Sequence, residues 1–470
     1  MDYLKKFKWV AVLFCISLAA QAQRINVKDY GAKGDGKTIE TNAIYSALNA
    51  LYKNGGGELY FPKGVYITNV IDIKPPKKMT IDIVGDAKQS IIKKNANDPT
   101  PVAVFFSEAR EVNYSFCNLS IDGNYSKRNR HWKKTQNNIV EVHDATNGIL
   151  IWNADRVLVK ACAIQNVHGS GVAVYSSKSL EVYDTQIQNT SDRGIIGHKL
   201  QSMITNSNVI KNTGIFTDTY HVDNIYQNHK GKYMTLYGDG IESEARVFTA
   251  LNNTISNSGR IGITHDLAID LGYKNSKATV KNNTITVNND RIYNTNPPAG
   301  IWFEQTHDVV VSSNKITIKK SQNALVSAIR FYDITGNVVC ENNQIDASSY
   351  NLQLNEAIGI FEPLQSSYVI KGNTMKGKFT NGISISYEKD KANLKSIVVD
   401  NNAIHGSSNT LKNGMYLTLY SKLEMPKNVT FTNNKVNAQS DKHFNATYFG
   451  NSNKKFSKDS FTIKNNTFAK

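Results

Sequence analysis

Val280-Lys281-Asn282-Asn283-Thr284-Ile285 sets out the unit from which the chain is built. An apolar residue precedes a short polar run containing Asn, and a second apolar residue closes it. The unit recurs as Val311 to Ile316, Cys340 to Ile345, Ile370 to Met375, Val399 to Ile404, Phe431 to Val436 and Ile463 to Phe468. Earlier copies are Tyr114 to Leu119, Val159 to Ile164, Val182 to Ile187, Ile204 to Val209 and Ala250 to Ile255. The closing apolar residues lie 22 to 32 residues apart, with two longer gaps of 45 and 46. One such unit cannot bury its apolar face, but stacked units share a continuous core. Alternation sends apolar side chains inward and polar ones outward. Asn tolerates the left-handed backbone of a bend, and an Asn at the same bend of successive coils forms a ladder. The pattern predicts an all-β fold: a parallel β-solenoid, one coil per repeat.

Working outward, a second element follows most copies and reads Gly-apolar-x-apolar. Examples are Gly148 to Ile151, Gly171 to Val174, Gly262-Ile263, Gly300 to Phe303, Gly359-Ile360, Gly382 to Ile385 and Gly414 to Leu417, with Ala328 standing for Gly in one copy. Glycine is expected to make the turn into the strand. The first and third residues after it point inward. The second and fourth point outward and align from coil to coil. Near the start, Ile44, Leu48 and Leu51 follow helical spacing. They predict a short helix capping the open end of the core, with Thr38 or Thr41 as its N-cap.

The chain has 470 residues, a hydrophobic fraction of 40%, a charged fraction of 20% and only nine prolines. It can bury a core and is not disordered by composition. Residues 1–22 read as a signal peptide: Lys5, Lys6 and Lys8, then an apolar run, then Ala20-Gln21-Ala22. Residues 23–470 are expected to form a single domain with its cap at about 24–75, exported to the periplasm or beyond. No lipobox and no integral membrane segment are seen. Three cysteines remain, an odd number, so no complete disulfide framework is expected. Cys117 and Cys162 read as stacked core residues at one place in the repeat. The net charge of +16, with no nucleic-acid motif, points to an acidic polysaccharide as partner, bound by a monomer.

The segment Ile25-Asn-Val-Lys-Asp-Tyr-Gly-Ala-Lys-Gly-Asp-Gly-Lys-Thr38, with Gly55-Gly-Gly-Glu-Leu-Tyr-Phe-Pro-Lys-Gly-Val-Tyr66, resembles the N-terminal cap and first coil of the pectate-lyase-like superfamily. The resemblance implies a right-handed parallel β-helix and a glycan substrate. Members include polygalacturonase-type hydrolases, polysaccharide lyases and uronate epimerases. The reaction is not fixed by the fold. The polygalacturonase set is not present: Asn189-Thr190 continues as Ser191-Asp192, no two Asp residues are adjacent, and Gly197-His198 is followed by Lys199. The Asp-Pro-His motif of mannuronan epimerases is also absent.

The outward columns carry the candidate chemistry. Second positions run Leu150, Ala173, Ile196, Glu242, Thr264, Trp302, Arg330, Ser384, Tyr416. Fourth positions run Trp152, Tyr175, His198, Glu244, Asp266, Glu304, Tyr332, Ser386, Thr418. Asp239, Glu242, Glu244, Asp266, His198 and Arg260 are the candidate catalytic residues. Tyr175, Arg193, Trp302, Glu304, Arg330 and Tyr332 are the candidate substrate contacts, Trp302 as a sugar-stacking platform. The abundance of carboxylates favours a glycoside hydrolase with paired acids at Glu242 and Glu244. The alternative is a lyase or epimerase that removes a proton from a uronate. In it Glu242 and Glu244 hold Ca²⁺, Arg260 assists, and His198 or Tyr175 is the base. No cofactor is otherwise required. A non-catalytic glycan-binding solenoid is the reading from another class. In one β-helix lyase group a Lys follows the second Glu of a similar Glu-x-Glu; Arg246 is the nearest basic residue here. His265, pointing inward, reads as a core histidine.

Overall fold

The computed structural model describes residues 23–469 apart from 99, 101, 126–132, 135–138, 141–145, 215–233, 236–237, 289–291, 294–298, 321–326, 351, 387–392, 408–409, 421–427, 438–443 and 450–460. The signal peptide reading lies outside the described residues, as does the basic stretch around Arg128 and His131.

Strands pair in parallel into one sheet of 26 strands and a second of 15. A typical coil gives two strands to the large sheet and one to the small. Ile261–His265 and Lys277–Lys281 are followed in this way by Thr284–Asn288. The chain is a right-handed parallel β-helix. Its interior is a continuous column of Ile, Val, Leu and Phe, from Ile25 to Val436.

The Asn pair of the repeat has divided its labour. Asn282 takes φ 57° and makes the left-handed bend. Asn283 turns inward and is 1% exposed. Its Nδ2 donates to Asn314 Oδ1 at 2.9 Å and to the Ala250 carbonyl at 3.0 Å. The same bond runs without a break through Asn208, Asn253, Asn283, Asn314, Asn343, Asn373, Asn402, Asn434 and Asn466, each step 2.9 or 3.0 Å. Each amide donates toward the C-terminal end. The ladder satisfies carbonyls that the corner would otherwise bury without partners.

The helix Thr41–Lys53 covers the N-terminal end with Ile44, Ala47, Leu48 and Leu51 buried. Neither Thr38 nor Thr41 caps it through a side chain. Glu40 stands at the N-cap, and its Oε1 instead accepts from Lys33 N and Gly34 N at 3.0 Å. Thr41 Oγ1 is taken by Thr68 and by Asn69 N.

Three further expectations change. Gly240 has no positive φ. A Cβ there would lie 2.6 Å from the Gly262 carbonyl oxygen and 2.6 Å from Ile255 Cγ2, so glycine serves close coil stacking and not a turn. Ile329 aligns with Ile358, which puts Ala357 at the glycine place and Gly359 in the outward column beside Arg330. Cys117 aligns with Lys160 and is half-buried, whereas Cys162 is buried. They do not share a place, because Phe116 and not Tyr114 aligns with Val159. All three cysteines are free.

Candidate active site

The outward columns form as the alternation predicts. Strand register places Leu150, Ala173, Ile196, Glu242, Thr264, Trp302 and Arg330 side by side on successive coils. It also aligns Trp152, Tyr175, His198 and Glu244. A register shift between His198 and Leu200, with Lys199 at φ 56°, marks a β-bulge within the strand Ile195–Asn206. Bulges re-aim side chains at the ends of pairing. No sequence signal marked this one.

Glu242, Glu244 and Asp266 converge, with one carboxylate oxygen of each within 4.8 Å of the others. Burial is the main force raising the Glu242 carboxyl, to about 7; Arg193 opposes it and Asp239 adds to it. Asp266 is pushed well above the ordinary carboxylate range by burial and then by Glu242 and Glu244. Its Oδ1 is buried with no hydrogen-bond partner. His198 Nδ1 is paired with Glu244 Oε2. The imidazole edge remains partly exposed, its side chain at 28%.

Arg193 and Arg260 are both engaged within the protein. Arg193 grips Glu242 with two bonds, Nε to Oε2 at 2.6 Å and Nη2 to Oε1 at 3.0 Å, and its Nη1 donates to both oxygens of Asp192. Arg260 grips Asp239 in the same fork, at 2.8 and 2.5 Å, and Ile261 N adds a third bond at 3.0 Å. Arg260 Nη2 also comes within 3.7 Å of Glu242 Oε2. Asp239 is wholly buried. Its carboxylate is turned onto Arg260 and Ile261 N. Arg193 and Arg260 act by holding carboxylates in place, as bidentate guanidinium groups do.

The aromatic positions are also committed. Trp302 is 4% exposed, and the Arg330 guanidinium lies 4.3 Å from its ring centroid. Arg330 is sandwiched from the other side by Phe361, also at 4.3 Å, and Tyr332 lies at 5.6 Å. Trp302 is therefore not an open sugar platform; cation–π stacking occupies its face. Trp152 stacks on Tyr175 at 4.4 Å, and Tyr175 leans on His198 at 5.8 Å. Burial pushes the Tyr175 phenol up to about 12. Glu304, raised by burial and by Asp333, is only half-buried. One buried group escaped the sequence reading of this face. Glu356, raised by burial to about 7, accepts from Ser327 Oγ at 2.6 Å beneath Arg330. Arg246 is exposed beyond the corner, not over the carboxylates. His265 is buried, stacked on Phe248 at 5.3 Å and bonded to Ser243, as a core histidine.

Residues 24–294 match the family model described as rhamnogalacturonase A/epimerase, pectate lyase-like, which spans more than half of the chain. The chain belongs to this family. Among curated relatives of this pectate-lyase-like chain, alginate lyase 7 of Azotobacter vinelandii is 37% identical over 107 residues, 21% of this chain and 12% of the relative. Mannuronan C5-epimerase AlgE5 of the same organism is 21% identical over 395 residues, 79% of this chain and 35% of the relative. The chain thus spans well under half the length of these relatives. Among solved structures, the catalytic unit of a GH87 α-1,3-glucanase from Streptomyces thermodiastaticus superposes with a TM-score of 0.55 at 14% identity, covering 94% of this chain and 70% of that one. At that identity the likeness shows the β-helix fold alone. Among the described residues, no helix is long and apolar enough to cross a membrane.

Proposed function

We propose that this protein is exported and acts on an acidic polysaccharide by removing the proton beside a uronate carboxylate, the step shared by polysaccharide lyases and C5-epimerases. One observation carries the reading: His198, paired with Glu244, stands at a convergence of three carboxylates, of which Glu242 and Asp266 are pushed upward by burial. A paired-acid hydrolase needs one free proton donor and one free carboxylate. Here Glu242 is held by Arg193 and Glu244 by His198, so the geometry favours the proton-abstraction alternative over the hydrolase expectation. The lyase and epimerase relatives support the same choice.

In this reading Glu244 fixes the imidazole of His198, and the other ring nitrogen takes the proton from C5. The electron pair left on C5 spreads into the uronate carboxylate. That carboxylate must be neutralised first, because a dianion would otherwise form. Burial and its acidic neighbours push Asp266 toward the protonated form, and in that form, with no cation bound, it donates a hydrogen bond to the substrate carboxylate. Tyr175, a phenol at neutral pH, is the proton donor. In a lyase the C4–O4 bond breaks, a C4=C5 double bond forms and Tyr175 protonates O4. In an epimerase C5 regains a proton on the opposite face. The orphaned Asp266 Oδ1 and the mutual repulsion in the trio suit a hard cation, so Glu242, Glu244 and Asp266 would hold Ca²⁺. Such an ion would supply positive charge against the substrate carboxylate.

The test is incubation with polymannuronate, polygalacturonate and rhamnogalacturonan in D₂O. Ultraviolet absorbance of an unsaturated uronate identifies a lyase. Deuterium at C5 without cleavage identifies an epimerase. Reducing ends without either signal would overturn the proposal in favour of hydrolysis, and no change in any polymer would overturn an enzymatic role.

A further inference from the structure

Since Arg193 and Arg260 are both engaged inside the protein, the face carries few cations to meet the repeated charges of an acidic glycan. The cations lie round the corner. The strand holding Glu242 and Glu244 continues through Ala245 to Arg246 and Val247, both exposed. There an open cleft of about 610 Å³ is lined by Arg246, Lys277, His307, Gln201 and Asn275, with Val247 as an apolar patch. Strand register orders the cleft by coil. Val247 aligns with Lys277, and Lys277 aligns with Asp308, the neighbour of His307. Arg246, Lys277 and His307 thus come from three successive coils, stepped by about 4.8 Å per strand. Arg246 and Lys277 have no ion-pair partner among the described residues. The single carboxylate of the cleft, Asp308, already accepts from Asn337 N at 2.9 Å and lies 3.9 Å from His307 Nε2. His307 Nδ1 is bonded to Thr335 Oγ1 at 3.0 Å, which fixes the ring at the rim.

We propose that this corner cleft is a second glycan-binding site, distinct from the reacting face, which takes a stretch of anionic polysaccharide with successive acidic groups on Arg246 and Lys277. The rise of one coil is comparable to the advance of one sugar along an extended chain, so a cation on each coil matches an acidic group on each residue. Val247 offers an apolar contact for the C–H face of a ring, while Gln201 and Asn275 present amides to hydroxyls. Arg246 stands two residues beyond Glu244, so a long polymer reaches both places while a short oligomer occupies one. The choice of ligand rests on the acidic-glycan reading above; the site does not depend on the reaction.

Affinity electrophoresis of the full chain in gels containing polymannuronate, polygalacturonate or heparin tests it. Loss of two charge-assisted contacts predicts binding weakened by roughly tenfold or more in the Arg246→Glu/Lys277→Glu variant, with the conservative Arg246→Lys/Lys277→Arg variant retaining it. The Lys28→Glu/Lys33→Glu variant changes net charge equally at exposed positions of the capped end. Equal weakening by both charge reversals, or none by the first, or no retardation of the wild type in any gel, would overturn the second site. Retention in polyuronate gels alone identifies carboxylates as the ligand, and in heparin alone identifies sulfates; either supports the site. Unchanged melting temperatures in both variants secure the comparison. Product formation is followed separately: cleft-dependent binding without turnover sinks the proposed reaction and keeps this site, while turnover with cleft-independent binding does the reverse.

Discussion

Replacing Asn314 by Ala tests how much of the cohesion of the β-helix resides in the ladder. The side chain makes four hydrogen bonds. It accepts from Asn283 N at 3.0 Å and Asn283 Nδ2 at 2.9 Å, and donates to Val280 O at 2.9 Å and Asn343 Oδ1 at 2.9 Å. A net value of about 1 kcal/mol per bond makes their loss about 4 kcal/mol. Asn283 N–H then remains buried without an acceptor, which adds about 1–3 kcal/mol. Asn283 Nδ2 keeps the carbonyls of Ala250 and Lys281, and Asn343 Oδ1 keeps Asn314 N, so those groups add nothing further. The expected loss is about 5–7 kcal/mol, a large part of the stability of an ordinary domain. Asn466 at the end of the ladder makes three bonds and is less buried, so Asn466→Ala should cost clearly less. Urea unfolding followed by circular dichroism measures the difference, and hydrogen exchange at Asn283 N–H locates it. A loss below about 1 kcal/mol for Asn314→Ala at an unchanged m-value would refute the account.

Other outcomes follow from the same geometry. His198→Ala should lower turnover by about 10²–10⁴-fold with the fold intact, and Glu244→Gln should lower turnover less, leaving KM for short oligomers near wild type. If His198→Ala kept full turnover, the base would be elsewhere. Glu356 is raised from 4.5 to about 7 by burial, so folding favours its protonated form. Its stabilising contribution is complete below pH 4.5 and is lost as pH rises through 7, about 3 kcal/mol in all. Wild type should therefore lose stability between pH 5 and 8, and Glu356→Gln should lose about 3 kcal/mol less over the same range when unfolding is measured at both ends. Gly240→Ala places a methyl against the Gly262 carbonyl and Ile255, and should cost about 1–3 kcal/mol in thermal unfolding.

The architecture was legible because stacking repeats one set of demands in every coil. Val280 to Ile285 shows why: the two apolar ends, the bend and the ladder residue each answer a separate physical need, and each need recurs. The outward columns were legible for the same reason, since alternation fixes a side chain's face once its register is known. Partners were harder. That Arg260 grips Asp239 and Arg193 grips Glu242 depends on side-chain reach across coils separated in sequence by 21 and 49 residues. Trp302 read as an open ring because the sequence does not say that Arg330 reaches back over it. Glu356 escaped notice because its strand was read one place out of register at Gly359. The bulge after His198 depends on one extra residue, Lys199, which no local pattern marks.

The candidate face is chemically unequal at its two ends. Leu150, Ala173 and Ile196 form an apolar patch on the N-terminal side, backed by the Trp152–Tyr175 stack. The C-terminal side carries Glu304 and the Arg330 clamp between Trp302 and Phe361. A polysaccharide also has unlike ends, so the two directions in which it can lie along such a face differ in free energy. In the proposed reaction, direction decides which sugar ring meets His198 with its C5 hydrogen and which with the opposite side. The stereochemistry of the attacked carbon would then be selected by contacts several coils away from it, by the order in which coils with different surfaces are stacked.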